Sequence, residues 1–169
     1  WALTLFGSPE KKLKPGRVAS GWEAGSMGKK FITRDRVRWS DVDRAGIIYY
    51  GRFQRFFEIA ETELFRQVGL SYSTLSDQLG IWLPRVQTHF DYRAPLRLDD
   101  ELEVRTWVGR FGHKSLTLKF QVFKNEGEVL VADGHIILAA VAQDGFHSVA
   151  VPQAMKDALQ EYVEDEASA

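Results

Sequence analysis

Apolar residues between Phe53 and Val68 recur every three or four positions, whereas from Val86 to Ala142 they recur at every second position. That one change of period confines the chain to a long helix set against a sheet. Phe53, Phe56, Phe57, Ala60, Leu64 and Val68 make a broad apolar face, with Arg52, Arg55, Thr62 and Arg66 opposite it. Gly69 follows the last periodic residue, where a left-handed cap is wanted. Counted from Gly51 to Val68 at about 1.5 Å per residue, the helix is roughly 27 Å long, the width of a small domain. Beyond it, Val86, Thr88, Phe90 and Tyr92 alternate with Arg85, Gln87, His89 and Asp91. Leu102 to Val108 and Leu116 to Val122 alternate in the same way, which predicts half-buried strands. Asn125-Glu126-Gly127 reads as a hairpin turn leading into a long apolar strand, Glu128 to Ala142. Upstream, Phe31, Thr33, Val37 and Trp39 share one face of an extended segment, with Arg34, Arg36 and Arg38 on the other. Short helices are expected at about Ser73 to Leu79 and Pro152 to Tyr162, the latter with Pro in its first turn. Short connections imply antiparallel pairing, and one apolar helix on one sheet is an α+β layout.

The 169 residues suit a single domain. Residues 1–30 lack any period and carry six Lys or Arg against two Glu; the other 139 residues carry 16 against 21. We therefore divide the chain into a flexible basic extension, residues 1–30, and a folded domain, residues 31–169. Met27 is a candidate initiating residue, with residues 1–26 an upstream segment. An acidic body argues against a nucleic-acid partner. The absence of cysteine excludes a thiolate nucleophile, Cys-ligated zinc and an iron–sulfur cluster. The apolar run Trp1 to Phe6 is too short for a signal core or a membrane span, so a cytoplasmic, membrane-free protein is expected.

The loop before the long helix, Ser40-Asp41-Val42-Asp43-Arg44-Ala45-Gly46, holds two carboxylates and a glycine and is followed by Tyr49 and Tyr50. Backbone amides at a helix start lack intrahelical acceptors and sit at the positive end of the dipole. Such a start can polarise a carbonyl and hold an oxyanion. Asp43 beside it would complete a kit for acyl transfer or hydrolysis, by attacking the carbonyl or by deprotonating water. The plain alternative is that these aspartates are turn and capping residues, a role that suits Asp41. A D-x-D pair can also ligate a divalent metal, but nothing nearby supplies further ligands.

The run Arg38 to Tyr50 resembles the signature of the 4-hydroxybenzoyl-CoA thioesterase family, roughly D-x-D-x-x-G-[IV]-[IV]-[YF] before a long helix. Phe90 to Asp100 resembles a second segment of the same family, and the similarity extends over about Phe31 to Gln143. The resemblance implies a hotdog fold, an antiparallel sheet wrapped around one central helix, and an acyl-CoA substrate. It implies no metal and no cofactor, and a homodimer or homotetramer whose sheets join edge to edge. It assigns Asp43 as nucleophile or general base and the amides at Tyr50 and Gly51 as the carbonyl-binding group. It also gives Gly46 a tight approach to the acyl group, and Tyr49 and Tyr50 contact with it. Lys114, with His113 beside it, falls where relatives bind the CoA phosphates; a solvated hairpin lysine is the plain reading. A second branch of hotdog thioesterases uses a helix glutamate, for which Glu61 is the counterpart. The rivals are a non-catalytic acyl-CoA-binding protein and a hotdog hydratase or dehydratase, which would need a histidine in the loop or helix. No G-x-S-x-G, G-x-G-x-x-G or H-E-x-x-H occurs.

Overall fold

The computed structural model describes residues 28–164 and lays one 15-residue helix across a five-stranded antiparallel sheet. Residues 1–27, with most of the expected extension and the candidate start at Met27, lie outside the described residues. The elements are β1 (Phe31–Arg36), α1 (Phe53–Gln67), α2 (Tyr72–Leu79), β2 (Ile81–Trp82), β3 (Arg85–Tyr92), β4 (Glu101–Phe111), β5 (Ser115–Lys124), β6 (Val129–Ala139), β7 (Val141–Ala142) and α3 (Gln153–Leu159). The main sheet runs β1-β4-β5-β6-β3, and β2 pairs with β7 apart from it.

The apolar stripe of α1 is buried as its spacing requires: Phe53, Phe56, Phe57, Ala60 and Leu64 all lie in the core. Phe57 stacks between Phe90 of β3 and Phe120 of β5, with centroid distances of 4.6 and 4.2 Å. Gly69 takes the left-handed conformation (φ 75°) that ends the helix. The β5–β6 turn falls on Asn125, Glu126 and Gly127, all at positive φ.

Four details depart from the pattern-based expectations. The α-helix begins at Phe53, behind a single 3-10 turn over Tyr50–Arg52. β1 stops at Arg36, so Trp39 leaves the strand face and stands 81 % exposed in a separate turn. The long apolar strand breaks at Ala140, whose amide bonds to Lys114 O, and its last two residues move to β2. In β3 the register slips between Arg85 and Gln87, making Val86 an extra residue. That bulge returns Arg85 to the helix side of the sheet, the face of its partner Leu138, and breaks its expected alignment with His89 and Asp91.

The two sheet edges differ. β1 is short and charged, FITRDR, whereas β3 has β6 on one side only and is exposed along almost its whole length.

Candidate active site

The loop between β1 and α1 folds as a small hairpin. Val42 and Ile48 form its bridge, Asp43 N donates to Ile47 O (2.9 Å), and Tyr49 N donates to Asp41 O (2.9 Å). Its tip is a tight turn in which Gly46 N donates to Asp43 O (3.0 Å) and Ala45 N to Asp43 Oδ1 (2.8 Å). Gly46 has φ 73°, a conformation that a side chain would strain, so the glycine is needed by the turn itself. Ile48 N donates to Leu96 O (2.8 Å), which ties the hairpin to the segment before β4.

Asp41 is the anchor. It is 2 % exposed, and its Oδ2 accepts from Arg38 N (2.9 Å) and from Arg55 Nη2 (2.6 Å). Arg55, on the first turn of α1, also donates through Nη1 to Asp35 Oδ2 of β1 at 2.6 Å. One guanidinium therefore holds strand, hairpin and helix start in fixed relation. Asp43, by contrast, is exposed. It lines a hollow of about 500 Å³ with Trp39, Val42, Arg44, Gly46 and Leu98.

The helix start opens on a different hollow, of about 340 Å³, lined by Ile47, Ile48, Tyr50, Phe53, Tyr92, Arg93, Ala94 and Pro95. Among the described residues the amides of Tyr50 and Gly51 have no acceptor; the first amide to be used is that of Arg52, which donates to Tyr49 O (2.8 Å). Tyr49 packs on Tyr50 (centroids 4.5 Å apart) and covers Gly51, where a Cβ would stand 2.9 Å from the Tyr49 ring. Tyr92 packs on Phe53 (5.1 Å) and reaches Tyr50 O (3.4 Å); its burial raises the Tyr92 pKa. Within one chain, then, Asp43 and the free amides flank the same hairpin but line separate hollows.

Lys114 and His113 sit in the β4–β5 turn, at the other end of β4 from Leu98 and Asp43, roughly 30 Å along the strand. Lys114 Nζ contacts Ser148 O (3.3 Å) and Oγ (3.2 Å), and His113 is exposed. The chain does not bring either of them to Asp43.

Glu61 is fully buried inside the helix–sheet layer. Tyr72 Oη donates to Oε1, and Arg85 Nη2 reaches Oε1 at 3.0 Å and Oε2 at 3.1 Å. Burial pushes the Glu61 pKa up, against the pull of Tyr72 and Arg85. An acid whose pKa is raised on folding binds more protons folded than unfolded. Stability therefore falls as pH rises from the ordinary carboxylate value through the raised one. Urea midpoints across the acidic range are expected to show this slope in the wild type and to lose it in Glu61→Gln.

Sequence reading missed three groups. Trp39 and Leu98 flank Asp43, Arg55 clamps the loop, and Arg85 joins Glu61. The signal for Arg55 was a cation directly before Phe56 and Phe57. For Arg85 there was none, because the bulge that turns it is a property of the pairing.

The profile of the thioesterase-like superfamily matches residues 37–159. The chain belongs to that superfamily. Among relatives of this thioesterase-like protein, the acyl-CoA thioester hydrolase YbgC of Escherichia coli is 33% identical over 102 residues, covering 57% of this chain and 75% of the relative. The 1,4-dihydroxy-2-naphthoyl-CoA hydrolase of Synechococcus is 31% identical over 121 residues, covering 69% and 80%. The crystal structure of the DHNA-CoA thioesterase from Staphylococcus aureus matches with a TM-score of 0.70 at 26% identity, over 79% of this chain and 88% of that one. The sheet-wrapped helix is thus the expected hotdog fold. No helix among the described residues of the thioesterase-like protein is long and apolar enough to cross a membrane.

Proposed function

We propose that the protein hydrolyses acyl-CoA thioesters to free acid and CoA, with Asp43 as nucleophile or general base. The observation that carries this is the pair of amides at Tyr50 and Gly51, unaccepted among the described residues, at a helix start that opens on a mainly apolar hollow and follows the clamped hairpin on which Asp43 is exposed. The amides would polarise the thioester carbonyl and hold the oxyanion as it forms. In one route Asp43 attacks the carbonyl carbon, the C–S bond breaks, and water then hydrolyses the mixed anhydride. In the other, Asp43 takes a proton from water and the resulting hydroxide attacks. Either way CoA leaves as a thiolate, a good enough leaving group to depart without an acid. The relatives named for acyl-CoA and 1,4-dihydroxy-2-naphthoyl-CoA hydrolysis support the substrate class, and a cytoplasmic enzyme would suit it.

The same reading makes the protein a dimer, or a pair of dimers. The exposed edge of β3 is a template for another strand, and pairing with a second copy would satisfy it. Such pairing reverses the strand ends, so each copy's Lys114 end approaches the other's Tyr92 end. That gives Lys114 and His113 a route to the CoA phosphates of the neighbouring site.

Thiol release from a panel of aryl, branched and straight-chain acyl-CoAs tests the proposal. Turnover on at least one member is expected. Acyl-CoA bound without turnover would make the protein a binding module, and crotonyl-CoA hydration without thiol release would make it a hydratase.

A further inference from the structure

The fully buried Glu61 forms with Tyr72 and Arg85 a polar cluster for which the hydrolytic mechanism has no use. It aims a guanidinium. The bulge at Val86 turns Arg85 to the helix side of β3, and Glu61, itself held by Tyr72, fixes Nη2. Among the described residues no acceptor engages Nε or Nη1, and the side chain is 31% exposed at the open sheet edge.

Arg85 cannot serve the hollow of its own chain. It stands at the opposite end of β3 from Tyr92, about 20 Å away along the strand. Antiparallel pairing of two copies of one strand is a two-fold rotation about the sheet normal. It keeps both helices on one side and sets the Arg85 end of each copy beside the Tyr92 end of the other. The hollow at Tyr92 is otherwise mainly apolar, and its own cation, Arg93, is taken up by Asp133 and Asp91.

We infer that Arg85 of each copy completes the acyl hollow of the other and selects acyl chains that end in a carboxylate. A guanidinium holds a carboxylate by charge-assisted hydrogen bonds, and Nη1, which no acceptor among the described residues engages, is left as the donor for it while Nη2 stays on Glu61. The inference rests on the thioesterase and dimer readings proposed above. Glu61 and Tyr72 are positioning residues that hold the guanidinium at the sheet edge.

The test compares kcat/KM for glutaryl-CoA and pentanoyl-CoA, which have acyl chains of equal length, in wild type, Arg85→Met and Arg85→Lys. The glutaryl-to-pentanoyl ratio is expected to fall at least about tenfold in Arg85→Met, with partial recovery in Arg85→Lys. A second arm uses subunit mixing. Asp43→Asn and Arg85→Met chains are denatured, mixed and refolded together. If Arg85 acts across the dimer, each mixed dimer has one intact site. Glutaryl-CoA turnover should then return to about a quarter of the wild-type value, because half of the randomly paired dimers are mixed. An unchanged ratio in Arg85→Met, equal losses on both thioesters, or no recovery on mixing overturns the inference alone. A monomer by light scattering, or a wild type inactive on the whole acyl-CoA panel, brings down the underlying reading and the inference with it.

Discussion

Asp43→Asn is expected to lower kcat for acyl-CoA hydrolysis by about three orders of magnitude while barely moving the melting temperature. The structure separates the two effects. Asp43 is exposed, and the only hydrogen bond of its side chain among the described residues is the one Oδ1 accepts from Ala45 N. An asparagine carbonyl accepts the same bond, so the turn survives and the stability change should stay within about 0.5 kcal/mol, as for other surface substitutions. What the amide cannot do is attack a thioester carbonyl or take a proton from water. Loss of a general base or nucleophile costs roughly 10²–10⁴ in rate. Thiol-release kinetics with a matched thermal melt read both quantities. Unchanged turnover would remove Asp43 from the chemistry and direct attention to Glu61.

Arg55→Met is expected to have the largest effect on stability. It removes the partner of Asp41, a 2 % exposed carboxylate, and of Asp35 as well. Taking away one member of a buried pair costs about 3–5 kcal/mol, because the other charge stays buried and uncompensated. For a domain of this size that is a fall of roughly 10–15 °C in Tm. The double variant Arg55→Met/Asp41→Asn should recover part of the loss, and chemical denaturation of all four proteins gives the coupling energy directly. The same clamp holds Asp43's hairpin beside the helix start, so Arg55→Met should also lower kcat at temperatures where it is still folded. Full activity in the folded variant would separate the clamp from the site.

The helix and the strands were legible because each has to bury a face, and burial writes a period into the sequence. The stripe Phe53 to Leu64 and the alternation Leu116 to Val122 hold in the structure residue by residue. Trp39 misled because the alternation of β1 runs on past Arg36 into a turn, where period no longer reports burial. Glu103 and Trp107 were expected on an outer face but are buried: Arg34 and Arg105 pair with Glu103, and Lys30 lies over the Trp107 ring at 4.2 Å. At the site, the D-x-D motif picked out the hairpin and the helix start. It could not show that Asp41 meets Arg55 fourteen residues away, nor that Glu61 meets Arg85 across the sheet. Those pairings depend on which strand lies beside which helix, a relation that no local pattern carries.

The order of the strands also bears on how the chain is made. β1 must wait for β4, since Phe31 pairs with Thr106, and β3 must wait for β6, since Tyr92 pairs with Ala132. On a ribosome the greasy side of α1 therefore emerges long before the sheet that will cover it is finished at Ala139. At about 5–20 residues per second the nascent helix stays uncovered for several seconds. Its phenylalanines are then open to chaperones, or to neighbouring nascent chains, before they meet their own strands.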